Sequence, residues 1–296
     1  MNENKTNINW YPGHMAKTKR QIIEDLKLID IVIEILDARI PISSQNPSMK
    51  EIIKNKKRIV VLNKSDLADE KQTILWKQYF EKQNIPAVIT DSNSGKGINQ
   101  FIKTVDECMK QEIEQSKQKG RVGKVIRLLV LGIPNVGKSS FINRISKRTT
   151  MEVGNRPGVT KKKQWIRVGD HIELLDTPGV LWPKFESEEV ALNLAYTGTI
   201  KDDILERTEI AFYLLKFLIN SYPEALESRY KLEKEIINEA LENKDDNEKI
   251  LELMYMIGRK RGAIISGGNI DEEKTANILL DDFRSGKLGR ITLERP

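Results

Sequence analysis

The chain has 296 residues, enough for about two domains, with 39% hydrophobic and 31% charged residues. One cysteine and two histidines exclude an intrachain disulfide, a multi-cysteine zinc site and a three-histidine metal site. The net charge is +6, and because residues 205–296 hold 15 basic and 18 acidic residues, the basic excess lies in the first 204. This favours a polyanionic partner such as RNA, with solvated lysines as the simpler alternative.

No apolar run approaches the ~20 residues that a membrane helix needs, and residues 1–9 lack the apolar centre of a signal peptide. We therefore expect a cytoplasmic protein without a membrane partner.

Strand-like and helix-like segments alternate up to about residue 200, which predicts a doubly wound, mostly parallel α/β sheet. The predicted strands are 30–36, 58–62, 87–90 and 125–132, followed by an antiparallel hairpin of 164–168 and 172–175. The predicted helices between them are 17–28, 69–83, 97–115 and 138–147.

After residue 200 the period is helical throughout. The predicted helices are 206–220, 223–243, 247–259 and 271–285. We therefore predict two domains, an α/β domain over 1–204 and an all-α domain over 205–296.

A phosphate-binding loop spans residues 132–139, with the sequence Gly-Ile-Pro-Asn-Val-Gly-Lys-Ser between a predicted strand and helix. Glycines let backbone N–H groups surround phosphate oxygens, and the helix N-terminus adds positive charge. Lys138 would contact the β- and γ-phosphates, and Ser139 would bind Mg²⁺. The loop residues predicted to bind nucleotide are Asn135, Val136, Gly137, Lys138, Ser139 and Ser140.

Two further segments fit the phosphate end of this site. Asp176 begins an Asp-Thr-Pro-Gly turn at a strand end, where a carboxylate holds the Mg²⁺ shell, and the N–H of Gly179 would reach the γ-phosphate. Thr160 would bind Mg²⁺ through its hydroxyl, although it also fits a plain loop threonine.

Asn63, Lys64, Ser65 and Asp66 end a predicted strand as Asn-Lys-Ser-Asp. A carboxylate at Asp66 accepts from N1–H and the 2-amino group of guanine, and adenine has neither donor. The alternative is a helix cap at Asp66 or Asp69. Asp91 and Ser92, at the end of the next strand, would flank the base.

These motifs resemble translation-factor-related GTPases in circularly permuted order, because the guanine motif precedes the phosphate loop. Trp10-Tyr11-Pro12-Gly13-His14 and Asp37-Ala38-Arg39 resemble the ribosome-biogenesis GTPase A family over nearly the whole chain. The resemblance implies a GTPase that binds the large ribosomal subunit precursor and its rRNA late in assembly and is stimulated by that particle.

The position that often holds a water-orienting glutamine is Val180, so unassisted hydrolysis should be slow. By resemblance to potassium-dependent GTPases, Asn135 would help to hold K⁺ against the phosphates. The family resemblance implies that His14 places the water once the ribosome is bound, while RNA contact or packing are its alternatives. We expect His171 to be solvated.

Two other functions remain open: a guanine-nucleotide-gated RNA-binding module with incidental hydrolysis, and a metabolic phosphate-loop kinase. Oligomeric state is not readable from the motifs, and a monomer is the expectation.

Overall fold

The computed structural model describes residues 12–120, 123–149, 165–177, 179, 181–182, 185, 187–200, 206–242 and 246–296, with only the backbone for 12–16, 148 and 149. The chain divides into two compact units, Met1–Phe185 with Glu294–Pro296, and Glu186–Leu293. The two units meet between Phe185 and Glu186, about 20 residues before the domain boundary predicted from the sequence, between 204 and 205. The division into domains 1–204 and 205–296 stays a prediction.

The first unit contains a six-stranded sheet in the order β3-β2-β1-β4-β6-β5. The strands are β1 (Ile31–Asp37), β2 (Lys57–Asn63), β3 (Ala87–Ile89), β4 (Ile126–Leu131), β5 (Trp165–Val168) and β6 (Ile172–Asp176). All neighbouring pairs are parallel except β5 with β6. The predicted doubly wound, mostly parallel sheet is confirmed, including its antiparallel hairpin.

The strand order reverses between β1 and β4, which are hydrogen-bonded neighbours although about 90 residues separate them. In open α/β sheets, ligands bind at the carboxyl ends of the strands beside such a reversal. The phosphate loop follows β4, the guanine motif follows β2 and Asp37 ends β1. The topology therefore gathers the predicted motifs at one edge of the sheet.

Strand β1 is buried along its whole length, as expected for a central strand covered on both faces. The described helices of this unit are α1 (Pro12–Asp25), α2 (Pro47–Ile52), α3 (Glu70–Lys82), α4 (Ile98–Gln118) and α5 (Lys138–Thr149). Helices α1 and α2 pack Ile22 and Met49 on Val32 of β1, and α3 packs Trp76 on Leu36 of the same strand.

The described residues of the second unit are helical, with one isolated β-bridge between Ile264 and Ile270. Its helices are α6 (Glu188–Tyr196), α7 (Arg207–Ser221), α8 (Pro223–Tyr230), α9 (Lys234–Glu242), α10 (Asn247–Lys260) and α11 (Glu272–Arg284). The predicted helix 223–243 is two helices, because Lys231 adopts φ 56° between them. No helix in the described part of the chain has the length and apolarity needed to cross a membrane.

Candidate nucleotide-binding site

The phosphate loop runs from β4 into α5 with two residues in left-handed conformation, Asn135 (φ 62°) and Gly137 (φ 94°). Lys138 is 9% exposed, and its Nζ donates to the carbonyl oxygen of Ile133 at 3.0 Å. Burial lowers the pKa of the Lys138 ammonium, and the negative charge of Asp176 opposes this shift. The cation is thus held inside the loop and close to the carboxylate at the end of β6.

The turn after β6 lies directly against this loop. A Cβ built on Gly179 would come within 2.7 Å of Lys138 Nζ and 2.9 Å of the Pro134 nitrogen. The Thr177 hydroxyl donates to the carbonyl oxygen of Val130 at 2.6 Å, which ties the turn to β4. The approach requires glycine at 179, as expected for a backbone that meets a phosphate site.

Asn63 joins the guanine motif to the phosphate loop. Its Nδ2 donates to the carbonyl oxygen of Val136 at 2.9 Å, and its Oδ1 accepts from the Ser92 hydroxyl at 2.7 Å. A Cβ on Gly137 would lie 2.4 Å from the same Nδ2, so glycine is needed for this contact as well as for its positive φ. The two motifs, which are separated by about 70 residues of chain, therefore form one site.

One carboxylate oxygen of Asp66, the buried Oδ1, lacks a hydrogen-bond partner among the described residues. Burial raises the pKa of the Asp66 carboxyl, and the nearby Asp91 carboxylate raises it further. Asp69, not Asp66, caps α3, since its Oδ1 accepts from the Gln72 N–H at 2.9 Å. An orphaned acceptor of this kind fits a site that the donors of a bound base complete.

The loop after β3 is held from two sides. The Asp91 carboxylate accepts from the N–H groups of Asn93 and Ser94, at 2.8 and 3.2 Å. Arg144, on α5, donates from Nε to the carbonyl oxygen of Ser92 at 2.9 Å. The helix that begins in the phosphate loop thus also positions the loop expected beside the base, a role that the sequence did not signal.

Lys64 adopts φ 59°, and its Nζ pairs with Asp37 Oδ2 at 3.0 Å. Asp37 also accepts from Arg39 Nε at 2.9 Å and Nη2 at 2.8 Å, and both side chains are 2% exposed. Burial by itself would raise the pKa of Asp37, but the charges of Arg39 and Lys64 outweigh it and hold the pKa below its usual range. The buried pair of Asp37 and Arg39, together with the partly buried Lys64, fixes the guanine motif to the end of β1. In the sequence, Asp37 and Arg39 are marked only by the family resemblance.

The remaining predicted residues fall into three groups. The Ser65 N–H donates to the Thr90 carbonyl oxygen at 3.1 Å, while Ser139 and Ser140 are exposed at the start of α5. His14 lies in α1 where only the backbone is described, and Thr160 and Val180 lie outside the described residues. His171, which we expected to be solvated, has a 41% exposed side chain and in addition pairs with Asp106 of α4, with Nε2 at 2.8 Å from Oδ1.

The residues near Lys138 fit a Mg²⁺ ion that is completed by nucleotide oxygens. No group of three or more His, Cys, Asp or Glu side chains that could hold a metal occurs in the described ranges. Mg²⁺ prefers few protein ligands, several waters and substrate phosphates, so the Ser139 hydroxyl and the Asp176 carboxylate suffice as a donor set. Burial raises the pKa of Asp176, and Lys138 opposes this shift.

Comparison with known proteins agrees with this geometry. A family model described as "50S ribosome-binding GTPase" matches residues 127–254. "Ribosome biogenesis GTPase A" of Bacillus licheniformis is 48% identical over 289 residues, covering 98% of each chain. The Thermotoga maritima protein of the same name is 30% identical over 98% of this chain and 95% of its own.

A solved structure has the same fold. The crystal structure of GNP-bound YlqF from T. maritima matches with a TM-score of 0.63 and 26% identity, over 95% of this chain and 98% of that one. The resemblance seen in the motifs is thereby confirmed over nearly the full length. The chain belongs to the ribosome biogenesis GTPase A family and is a GTPase.

Proposed function

We propose that this GTPase assembly factor binds the precursor of the large ribosomal subunit and acts late in its maturation, with hydrolysis stimulated by the particle. The observation that carries the nucleotide site is the hydrogen bond from Asn63 to Val136, which puts the guanine and phosphate motifs side by side. The ribosomal partner is supported by the description of the matching family model. We propose that the protein meets this particle in the cytoplasm, and that it acts as a monomer.

In the proposed site, guanosine triphosphate spans the sheet edge from Asp66 to Lys138. Asp66 accepts from the base, with Asp91 and Ser92 beside it, and the N–H groups of 135–140 surround the phosphates. Mg²⁺, when bound, neutralises the charge that develops on the phosphates. Ser139, Asp176 and Thr160 would hold it, and the Gly179 N–H would meet the γ-phosphate.

Asn135 supports the proposal of a K⁺ site. Asn135 is exposed in the phosphate loop, and like Gly137 it adopts a left-handed backbone conformation. In this position it would hold K⁺ near the phosphates. The K⁺ ion would add positive charge there, because Lys138 is the one basic residue within 132–139.

The polyanion contact is supported by exposed basic residues. Lys17, Lys19 and Arg20 are exposed on α1, and Arg259 and Lys260 at the end of α10. Arg261 is partly engaged within its own unit, since its Nη2 donates to the Arg229 carbonyl oxygen at 2.8 Å. We propose that the exposed groups bind rRNA phosphates, with an affinity that falls steeply with salt. Lys161, Lys162 and Lys163 lie outside the described residues.

The function is tested by measuring GTP turnover and co-sedimentation with large-subunit precursors. We expect about 10⁻⁴ to 10⁻³ s⁻¹ for the protein alone, because Val180 stands where a water-orienting glutamine is often found. Large subunits should raise turnover about 10²-fold or more in K⁺, and less in Na⁺. Small subunits are the matched control. Binding without stimulation would favour the nucleotide-gated RNA-binding module, and equal use of ATP would favour the kinase.

We further propose that His14 places the attacking water once the particle is bound. His14→Ala should then lower particle-stimulated turnover by about 10²- to 10⁴-fold and leave GTP affinity unchanged. His171→Ala is the control. His171 pairs with Asp106 and precedes β6, whereas Asp176 lies at the opposite end of that strand. Normal stimulated turnover in His14→Ala would remove the catalytic role.

A further inference from the structure

Residues 294–296 belong to the α/β unit, although the residues immediately before them belong to the helical unit. The contact is made by Glu294, which is 9% exposed. Its Oε2 accepts from the Ile42 N–H at 2.6 Å, and its Oε1 accepts from the Ser43 N–H at 2.8 Å and from the Ser43 hydroxyl. One carboxylate thus takes three hydrogen bonds from two adjacent residues.

A second contact anchors the same residue to α3. The indole Nε1 of Trp76, which is 2% exposed, donates to the Glu294 carbonyl oxygen at 3.3 Å. Glu294 is thus held at two places, at its carboxylate by Ile42 and Ser43 and at its main-chain carbonyl by Trp76.

The residues that Glu294 holds lie in the loop between β1 and α2, here called the 37–46 loop. The Ser44 hydroxyl, next to Ser43, accepts from the Asp37 N–H at 3.1 Å and donates to the Ile40 carbonyl oxygen at 2.7 Å. Ser44 thereby ties the loop to the main chain of Asp37. Asp37 in turn pairs with Lys64 at 3.0 Å.

We infer that Glu294 is a positioning residue for the guanine-binding motif: it fixes the 37–46 loop, and through Asp37 it fixes Lys64. The inference rests on the function proposed for residues 63–66. The helical unit ends at Leu293, so one peptide bond joins it to the residue that holds this loop. The retention of guanine nucleotide therefore depends on a residue about 230 positions away from the motif.

The test is the rate at which the full-length protein releases a fluorescent N-methylanthraniloyl-GDP. Glu294→Gln keeps the size of the side chain and loses its charge, Glu294→Ala loses all three hydrogen bonds, and Ser43→Ala loses only the hydroxyl contact. We expect release to be roughly 3- to 10-fold faster in Glu294→Ala, with the other two variants between it and the wild type. Glu273→Gln, on the exposed first turn of α11, is the matched control and should release at the wild-type rate.

If Glu294 had a purely structural role, the melting temperature would fall with the number of hydrogen bonds removed, and folded protein would release the nucleotide at the wild-type rate. That result would overturn the inference. Glu294→Gln and Ser43→Ala keep the test decisive if Glu294→Ala does not fold. Single-turnover hydrolysis of bound GTP should be unchanged in all variants, since the phosphate loop is not altered. Failure of the wild type to bind the probe would instead overturn the proposed function, and the inference with it.

Discussion

Replacing Asp66 with asparagine is expected to lower the affinity for GTP by about 10²- to 10⁴-fold. The substitution removes a charged acceptor for two base donors, at about 1.5–3 kcal/mol for each hydrogen bond. Xanthine carries a carbonyl in place of the 2-amino group, and the asparagine amide donates to it, so affinity for xanthosine triphosphate should rise. Calorimetric titration of both nucleotides measures the exchange of preference.

The control for this prediction lies three residues further along the same loop. Asp69 caps α3 through the Gln72 N–H, and asparagine is an equally good cap, so Asp69→Asn should change neither stability nor base preference measurably. If Asp69→Asn lost GTP, or if Asp66→Asn bound GTP as tightly as the wild type, the assignment of the base contact would be wrong.

Asp37→Asn should lower the free energy of unfolding by about 3–5 kcal/mol, because it leaves Arg39 buried without its charged partner and Lys64 without its ion pair. This is a large share of the total stability of an ordinary domain, at about 5–15 kcal/mol. Urea unfolding of the full chain measures it. Asp106→Asn, which breaks the exposed pair with His171, is the control and should cost less than about 1 kcal/mol.

The pH dependence of the free energy of unfolding, compared between the wild type and Asp37→Asn, gives an independent check. The pKa of Asp37 is held below its ordinary value of 3.8, so its contribution is fully present above pH 3.8 and is lost as the pH falls through the lowered pKa. The stability difference between wild type and Asp37→Asn should therefore be constant near neutral pH and shrink in acid. A difference that stays constant below pH 3.8 would show that charge at Asp37 is not its cause.

The sheet could be predicted because its signals are local. Runs such as 30–36 and 125–132 are mostly apolar and rich in Ile, Leu and Val, and in the structure β1 and β4 occupy these runs within one residue at either end. Helix α2 was missed although Asn46 caps it and Pro47 begins it, because six residues are too few to show a helical period. Helix α6 was missed in spite of the Ser187 cap for a similar reason.

The site could be predicted only in part, since motifs specify residue types but not their partners. The sequence identified Asn63 and Val136 as members of two motifs, yet their hydrogen bond follows from β2 and β4 lying on either side of β1. The contacts of Arg144 with Ser92 and of Glu294 with Ser43 join residues 52 and 251 positions apart. Such pairings depend on the finished packing and leave no periodic or compositional trace.

The return of residue 294 to the α/β unit bears on how the chain matures during its own translation. Synthesis runs from the N-terminus, so the sheet can assemble long before Glu294 leaves the exit tunnel of the translating ribosome. Until then the amides of Ile42 and Ser43 lack the carboxylate that they meet in the finished molecule. A nascent chain would thus hold a nearly complete sheet while the 37–46 loop still lacks its contacts with Glu294.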